Sequence, residues 1–234
     1  MKIEGAVVFV TGANRGLGLE FARQALARGA SKVYAGARDP STVKLPGVIP
    51  VKLDVTQADE VAAAAAQCKD VTLLINNAGI ARIGAFTEGD PVPQLREQLE
   101  TNLFGIVNTS RAFAGILGAN GGGALLNVLS VVSWISTPLL GTYGVTKAAA
   151  WSLTNTLRIE LKAQGTQVVG FHAGFIDTDL TQGLDVPKAR PEDVVRASYD
   201  AIEAGAEEVA ADEASRQVKQ GLSHGVYLTD VTAA

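Results

Sequence analysis

A tyrosine and a lysine stand one helical turn apart in the segment YGVTK, which covers positions 143–147. Side chains four positions apart on a helix project from the same face, so Tyr143 and Lys147 are expected to lie together. An unperturbed tyrosine has a pKa of about 10, which is too high for a base at neutral pH. Because a neighbouring ammonium favours the phenolate, we predict that Lys147 lowers the pKa of Tyr143 toward its working pH.

Two more polar residues precede this segment in the chain. Ser130 follows an apolar run and precedes the tyrosine, and Asn102 lies in the segment TNLFG. Each of the four residues has an ordinary alternative when it is considered alone. The tyrosine and the lysine suit the rim of an amphipathic helix, the serine suits a strand end, and the asparagine suits the middle of a helix. The hypothesis of a catalytic site depends on all four occurring together with a ligand-binding turn.

A glycine-rich turn joins the first apolar run to a segment of helical composition. It reads TGANRGLG over positions 11–18, which places glycines at Gly12, Gly16 and Gly18. Glycines allow a tight turn and a close approach of the backbone to a pyrophosphate. The following helix offers free N–H groups and the positive end of its dipole. The order of strand, turn and helix favours a dinucleotide site over a turn without a ligand.

These motifs, in this order, resemble those of the short-chain dehydrogenase/reductase family. The glycine spacing GxxxGxG, the segment NNAG at positions 76–79, the YxxxK motif and the serine before it all match, from Thr11 to about Leu180. The resemblance implies an oxidoreductase that moves a hydride between a nicotinamide dinucleotide and a carbonyl or alcohol substrate. It also implies the catalytic residues, which are Asn102, Ser130, Tyr143 and Lys147.

The resemblance implies a role for each of these residues. Tyr143 would donate a proton to the carbonyl oxygen in the reductive direction, and Ser130 would hydrogen-bond the same oxygen where negative charge develops. Lys147 would also bind the nicotinamide ribose, and Asn102 would help to hold a water in a proton relay. The implied cofactor-binding residues are Gly12, Asn14, Arg15, Gly16, Leu17, Gly18, Arg38, Asp54, Val55, Asn77, Ala78, Gly79, Tyr143, Lys147, Gly174, Ile176 and Thr178.

The end of the second apolar run favours NADP(H) over NAD(H). In NAD-using relatives an acidic residue at this strand end binds the ribose hydroxyls. Ala37 stands at that place here, Arg38 follows it, and Arg15 lies in the glycine-rich turn. Two guanidinium groups are able to bind a 2′-phosphate through charge-assisted hydrogen bonds. The alternative is that both arginines are solvated and that Asp39 takes the acidic role.

The ends of the third and sixth apolar runs each allow two interpretations. Asp54 and Val55 match the family position that contacts adenine, and Asp54 alternatively caps the following helix. After the sixth run the family has Pro-Gly where this chain has Ala173 and Gly174, so we expect a looser turn. His172, just before this turn, is interpreted as a packing residue at the strand end rather than as a catalytic base.

The segment from Leu180 to Ala189, where the family places its substrate loop, is short. We therefore expect an open pocket. The candidate lining residues are mostly apolar and indicate a hydrophobic carbonyl substrate or alcohol, such as an aryl ketone. They are Ser133, Trp134, Leu139, Leu140, Phe175 and Leu184.

The composition argues against several classes of protein. Hydrophobic residues make up 47% of the 234 residues, which excludes a disordered polar chain. The net charge of −4 argues against a nucleic-acid partner, and one cysteine with two histidines argues against a metal site of the zinc type. The apolar run Ala6–Val10 is too short for a membrane span or a signal peptide, so we expect a cytoplasmic protein with no membrane partner.

Short apolar runs alternate with Ala-rich segments of helical length. Runs that are apolar on both faces suit a parallel sheet covered by helices on both sides. We therefore predict a doubly wound (Rossmann) α/β fold of six or seven strands, in a single domain over residues 1–234. A helix from about Pro191, an edge strand near Val209 and a last helix are expected to complete it. The runs are Ala6–Val10, Lys32–Gly36, Val48–Leu53, Val71–Ile75, Ala124–Leu129 and Val168–Phe171, and the helix candidates before Pro191 are Leu17–Arg28, Gln57–Gln67, Pro93–Leu117 and Thr142–Ala163.

Two of these helix candidates, Pro93–Leu117 and Thr142–Ala163, suit pairing across a twofold axis, so we expect a homodimer or a homotetramer. The family's usual C-terminal ending is not evident in Gln217–Ala234.

Two other functions compete with the oxidoreductase hypothesis. A catalytically silent NADP(H)-sensing protein is expected to lack the tyrosine or the lysine. An epimerase or dehydratase of the extended branch of the family is expected to have a longer C-terminal domain.

Overall fold

Seven parallel strands form one sheet in the computed structural model, which describes residues 1–229. The strands are β1 (Val7–Thr11), β2 (Lys32–Ala37), β3 (Ile49–Lys52), β4 (Leu73–Asn76), β5 (Ala124–Val128), β6 (Gln167–His172) and β7 (Glu208–Ala210). Their order is β3-β2-β1-β4-β5-β6-β7, and every pairing is parallel. The predicted doubly wound fold is confirmed.

Helices cover both faces of this sheet. They are α1 (Gly16–Ala27), α2 (Ala58–Gln67), α3 (Val92–Leu99), α4 (Gly105–Ala119), α5 (Gly141–Glu160), α6 (Pro191–Glu203) and α7 (Glu213–Gly221). Alternate residues of β1 show the two layers, because Val8 and Val10 belong to the core that α1 and α6 cover, whereas Phe9 belongs to the core that α2, α4 and α5 cover. This two-sided burial is the reason that the strands are apolar at successive positions. Within residues 1–229, no helix combines the length and the apolar character needed to cross a bilayer.

Some boundaries differ from those expected from the sequence. The segment expected as one helix over Pro93–Leu117 is α3 and α4, joined by a single π-helical turn at Glu100–Phe104. The third strand ends at Lys52, before the expected Leu53. The edge strand near Val209 and the last helix are found as β7 and α7. Residues 230–234 lie outside the described residues. The predicted single domain and the segment Gln217–Ala234 both include them.

The strand order creates a crevice beside β1. This strand is flanked by β2 on one side and by β4 on the other. The chain runs from β1 outward to β3 and later from β4 outward to β7, so the connections after β1 and β4 diverge. Ligands of open parallel sheets bind at such a point, outside the carboxyl ends of the strands. The glycine-rich turn follows β1 and the segment NNAG follows β4, so the fold places both motifs there.

Candidate active site

A cavity of about 1810 Å³ opens at the carboxyl ends of the strands. Every residue predicted to bind the cofactor lines it, and so do three of the predicted catalytic residues, Ser130, Tyr143 and Lys147. Asn102 lies outside this lining. The structure therefore brings the motifs together, while the binding of a cofactor by these residues stays a prediction.

The glycine-rich turn forms a narrow cradle of backbone. Gly12 and Gly16 have φ values of 65° and 53°, a region that residues with a side chain rarely adopt. Gly18 lies in the first turn of α1, and a Cβ added there would lie 2.2 Å from the carbonyl oxygen of Gly12. No side chain fits between the helix and the loop. The turn and the start of α1 have the form that the phosphates of a dinucleotide require, so the cradle fits the implied cofactor.

Asn77 joins this turn to the loop after β4. Its Nδ2 donates to the carbonyl oxygens of Thr11 and Gly12, at 2.9 and 3.2 Å. Thr11 Oγ1 accepts from the backbone N–H groups of Asn77 and Ala78, both at 2.9 Å. These bonds fix the two loops that border the crevice. Thr11 was not among the predicted site residues, although a polar residue that ends an otherwise apolar strand is a usable signal.

The predicted catalytic residues come from β5 and α5. Ser130 follows β5 in an extended conformation, and its Oγ donates to the carbonyl oxygen of Ala173 at 3.3 Å. Tyr143 and Lys147 lie in the first two turns of α5, on the face that lines the cavity. Lys147 Nζ donates to the carbonyl oxygen of Val128 at 2.7 Å and lies 5.6 Å from the centre of the Tyr143 ring.

The pKa values of these two residues differ from the expectation. Burial raises the pKa of Tyr143, and a hydrogen bond with Ser130 lowers it only in part. Burial lowers the pKa of Lys147 to about 8. The predicted lowering of the tyrosine pKa by the lysine is therefore wrong for this structure. The physical reason is that desolvation of the phenol by burial has the largest effect on its pKa, and the group that opposes it is the serine hydroxyl.

Asn102 is a fully buried brace in the π-helical turn. Its Oδ1 accepts from the backbone N–H of Ile80 at 2.9 Å, and its Nδ2 donates to the carbonyl oxygen of Ile80 at 2.8 Å and to Thr146 Oγ1 at 3.0 Å. The polar atoms of the side chain thus connect the loop after β4 to α5. A wide turn of this kind often occurs at functional sites. The role of Asn102 in a proton relay stays a prediction.

The two predicted arginines line the cavity near the ends of β1 and β2. Arg38 is exposed, whereas Arg15 Nη1 lies 3.5 Å from Asp179 Oδ2, an ion pair across the cleft. Asp39 is the residue that would take the acidic role in the alternative interpretation. Its Oδ1 accepts from the backbone N–H of Ser41 at 2.9 Å, so one of its two carboxylate oxygens is already hydrogen-bonded.

Asp54 lies in the loop after β3 and does not cap α2. Its Oδ1 accepts from the N–H and the Oγ1 of Thr56, at 3.0 and 2.8 Å. The N-cap of α2 is Gln57, which makes no side-chain capping bond. The interpretation of Asp54 as the helix cap is therefore wrong, because its carboxylate closes a local turn.

The turn after β6 is held by a residue that sequence reasoning missed. Asp212 Oδ2 accepts from the backbone N–H of Gly174 at 2.7 Å, and Asp212 Oδ1 accepts from the N–H of Ser215 at 2.8 Å at the start of α7. This carboxylate anchors the turn at Gly174, while the looser turn expected from the missing proline stays a prediction. A capping aspartate before a helix is visible in the sequence, but its second partner, 38 positions away, is not.

The apolar part of the cavity lining only partly matches the expected set of residues. Leu139, Leu140, Phe175 and Leu184 line the cavity, together with residues that were not predicted, among which are Ile135 and Val218. The other two candidates lie elsewhere. Ser133 and Trp134 are buried against His172 and do not line the cavity, so their assignment to the substrate pocket is wrong.

Over residues 1–229, no group of three or more His, Cys, Asp and Glu side chains is arranged to hold a metal ion.

Comparison with known proteins identifies the family. The family model described as short chain dehydrogenase matches residues 6–188. Galactitol 2-dehydrogenase (L-tagatose-forming) from Cereibacter sphaeroides is 32% identical over 202 residues, which cover 82% of this chain and 78% of that protein. The 11-beta-hydroxysteroid dehydrogenase A of Sesamum indicum is 32% identical over 77% of this chain, but the match spans only 55% of that relative.

A solved structure gives the same result at higher similarity. The crystal structure of a short chain dehydrogenase from Burkholderia cenocepacia J2315 in complex with NADP is 40% identical, with a TM-score of 0.92. The alignment covers 96% of this chain and 95% of that one. This chain belongs to the short-chain dehydrogenase/reductase family, a family of oxidoreductases with a Rossmann fold.

The cradle is tested by Gly18→Ala, with Gly115→Ala in α4 as the matched control. The added methyl at Gly18 would clash with Gly12 and with Asn77 Nδ2, which lies 2.5 Å away, whereas no atom lies within 4 Å of the one added at Gly115. Overpacking of this kind costs about 1–3 kcal/mol. We expect Gly18→Ala to weaken NADPH binding at least about tenfold. Gly115→Ala should leave binding unchanged and stabilise the helix by up to about 1 kcal/mol.

Fluorescence titration with NADPH and denaturant unfolding measure the two effects. Wild-type NADPH affinity in Gly18→Ala would contradict the assignment of this turn to the cofactor.

Proposed function

We propose that this chain is an NADP(H)-dependent carbonyl reductase of its family, which interconverts a ketone or aldehyde and an alcohol. One observation carries the proposal. The Tyr143 phenol, the Ser130 hydroxyl and the Lys147 ammonium line the same cavity as the glycine-rich turn. A proton donor and a second hydrogen-bond donor therefore share a cavity with the residues suited to a dinucleotide.

The cofactor would be held along the carboxyl ends of the strands. The turn from Gly12 to Gly18 and the start of α1 would bind the pyrophosphate, and Lys147 would bind the nicotinamide ribose. Ile176 and Thr178, in the loop after β6, line the cavity and would contact the nicotinamide end. When bound, a nicotinamide dinucleotide supplies or accepts the hydride of the reaction.

The chain's own residues would manage the proton. Tyr143 would give its phenolic proton to the substrate oxygen during reduction and take it back during oxidation. Ser130 would donate a hydrogen bond to the same oxygen, where negative charge develops. Burial raises the pKa of the phenol, so it stays protonated at neutral pH and is ready to act as a donor.

The preference for NADP(H) rests on charge at the adenosine end. Arg15 and Arg38 line this part of the cavity, and Ala37 leaves no carboxylate at the end of β2 to repel a 2′-phosphate. The Burkholderia protein, which is 40% identical, contains NADP. These observations support a phosphate contact by the two guanidinium groups.

The substrate would be a hydrophobic carbonyl compound. Leu139, Leu140, Phe175 and Leu184 give the far wall of the cavity its apolar character. Arg82, at the edge of this wall, is engaged by Glu97 through two hydrogen bonds of 3.1 and 2.6 Å, so its charge is balanced. This wall suits a neutral substrate such as an aryl ketone better than a small keto acid.

The proton role is tested by Tyr143→Phe, with Tyr227→Phe as the matched control at a half-exposed tyrosine. Loss of the phenolic proton should lower kcat for ketone reduction at least about 100-fold, while the dissociation constant of NADPH stays within about twofold. Tyr227→Phe should leave both quantities unchanged. The decay of NADPH absorbance with a panel of ketones measures turnover.

A catalytically silent NADP(H)-binding protein would bind NADPH and turn over no ketone of the panel. That result in the wild-type protein would contradict the proposal.

The cofactor preference is tested by Arg38→Ala, with Arg111→Ala, at an exposed arginine outside the cavity, as the control. Charge-assisted hydrogen bonds contribute about 1.5–3 kcal/mol each, so the KM for NADPH should rise at least about tenfold. The KM for NADH should not change, because NADH has no 2′-phosphate. An equal rise for both dinucleotides would show that Arg38 does not bind the phosphate.

The pH dependence follows from the raised pKa of Tyr143. Oxidation needs the phenolate, and below the pKa the phenolate fraction grows tenfold with each pH unit. We therefore expect kcat/KM for alcohol oxidation to rise about tenfold per unit from pH 6 to 8, whereas reduction, which needs the protonated phenol, stays flat. We limit this expectation to pH values up to 8, because burial lowers the pKa of Lys147 to about 8 and this side chain loses its charge above that pH. A plateau of the oxidation rate below pH 8 would mean that the phenol is more acidic than this.

A further inference from the structure

His172 ends β6 next to the predicted catalytic serine, and its side chain is fully buried. It does not line the cavity, so it has no access to a substrate. Its Nδ1 lies 3.1 Å from the carbonyl oxygen of Ser130 and 2.9 Å from Ser133 Oγ. Ser133 Oγ donates a hydrogen bond to the same carbonyl oxygen. The imidazole is therefore linked to Ser130 by one direct contact and one relayed contact.

The Ser133 hydroxyl indicates which nitrogen of the ring carries the proton. The hydroxyl has one proton, and it uses that proton toward the Ser130 carbonyl oxygen, which only accepts. A bare Nδ1 on His172 would then face the lone pairs of two oxygens without a donor. We assign the proton to Nδ1, which donates toward Ser133 Oγ and Ser130 O. The bare Nε2 then makes no hydrogen bond, and Glu208 Oε1 stays 3.4 Å away from it.

The rest of the ring is held from the other sides. The Trp134 ring stacks on it with 3.7 Å between the centres and 17° between the planes. Glu208 Oε1 lies 3.4 Å from Nε2 of His172, and the Glu208 carboxylate is itself bound by Trp151 Nε1 and by Lys219. Burial lowers the pKa of His172 although Glu208 opposes this effect, so the ring is neutral at neutral pH. Its orientation is set by packing as well as by hydrogen bonds.

We propose that His172 is a positioning residue, which holds the Ser130 peptide plane and so aims the Ser130 hydroxyl at the substrate oxygen. The hydroxyl hydrogen-bonds with Tyr143, and its bonds to Ala173 O and from Val132 N are long, at 3.3 and 3.4 Å. The carbonyl oxygen of Ser130 accepts from Ser133 N at 3.0 Å, from Ser133 Oγ and from His172. The anchor therefore lies on the carbonyl side of the residue. The hydroxyl stays available on the cavity side.

The inference rests on the proposed function, because it assumes that the Ser130 hydroxyl acts on a substrate. It has a consequence for Tyr143, since the hydrogen bond with Ser130 lowers the pKa of that phenol. If Ser130 turns away, the pKa of Tyr143 rises further, and the pH profile of alcohol oxidation moves to higher pH. A general loss of stability would lower the amount of active protein without moving this profile.

Three substitutions at His172 separate the two ring nitrogens. Asn places an amide N–H where Nδ1 stands, Gln places one near Nε2, and Leu removes both ring nitrogens at similar volume. Ser133→Ala removes the relay with little change in volume, so it tests the same link in a protein that is expected to fold. His224→Asn is the matched control, because this second histidine is exposed.

We expect His172→Leu and His172→Gln to lower kcat about tenfold and to move the oxidation profile to higher pH, with NADPH affinity unchanged. His172→Asn should restore most of kcat and the profile, and Ser133→Ala should lower kcat about threefold, since the direct contact remains. His224→Asn should behave as wild type. Equal effects of the Asn and Gln variants, or wild-type kcat in Ser133→Ala, would overturn the proposal.

Crystal structures of the variants give a second measurement that does not depend on turnover. The Leu variant should show the Ser130 peptide rotated away from residue 172, and the Asn variant should keep its contact with Ser130 O. If the wild-type protein reduces no ketone, the proposed function fails, and these structures still decide whether His172 holds Ser130. An unchanged Ser130 in the Leu variant would refute the positioning role even in an active enzyme.

Discussion

Burial of two ionisable side chains beside the crevice is the constraint on which the rest of the site depends. Lys147 is buried, with a backbone carbonyl, Val128 O, as its hydrogen-bond acceptor, and its pKa falls to about 8. A buried ammonium is costly unless it is hydrogen-bonded, so the end of β5 and the first turns of α5 must meet at a fixed distance. The same contact places Tyr143 in the cavity wall. The predicted acid–base group, Tyr143, is therefore positioned by a charge that the fold has to accommodate.

The loops around the crevice are held by buried or half-buried polar side chains rather than by regular secondary structure. Asn77 binds the glycine-rich turn, Asn102 binds the loop after β4, and Asp212 binds the turn after β6. Each side chain joins two segments that are distant in sequence, and each uses backbone groups as partners. Buried polar networks that are fully satisfied make a site rigid. Loops that border a ligand cavity thus keep a defined shape while their surfaces stay open to the cavity.

The fold and the local motifs were predictable from the sequence because their signals are contiguous. Apolar runs alternating with helical segments specify a parallel sheet, and the glycine-rich turn and the YxxxK spacing each lie within one element. The fold then brings these motifs to one edge of the sheet, as the strand order requires. Ala37 and Arg38 were readable for the same reason, since they follow directly from where β2 ends.

The remaining features depend on contacts that no local pattern encodes. Asp212 was missed because its partner lies across the molecule, and Ser133 and Trp134 were misplaced because they turn inward to His172. The predicted effect of Lys147 on the pKa of Tyr143 was wrong because spacing on a helix shows that two side chains are neighbours but not how strongly burial desolvates the phenol. Long-range partners and desolvation thus limit what a single sequence reveals about this site.

The most direct measurement is a crystal structure of the ternary complex with NADP⁺ and the alcohol product of the most active ketone of the panel. The account predicts that the alcohol oxygen lies within hydrogen-bond distance of both the Tyr143 phenol and the Ser130 hydroxyl. It also predicts that the dinucleotide phosphates lie on the turn from Gly12 to Gly18. An alcohol oxygen bound away from the phenol, or a dinucleotide bound outside this turn, would contradict it.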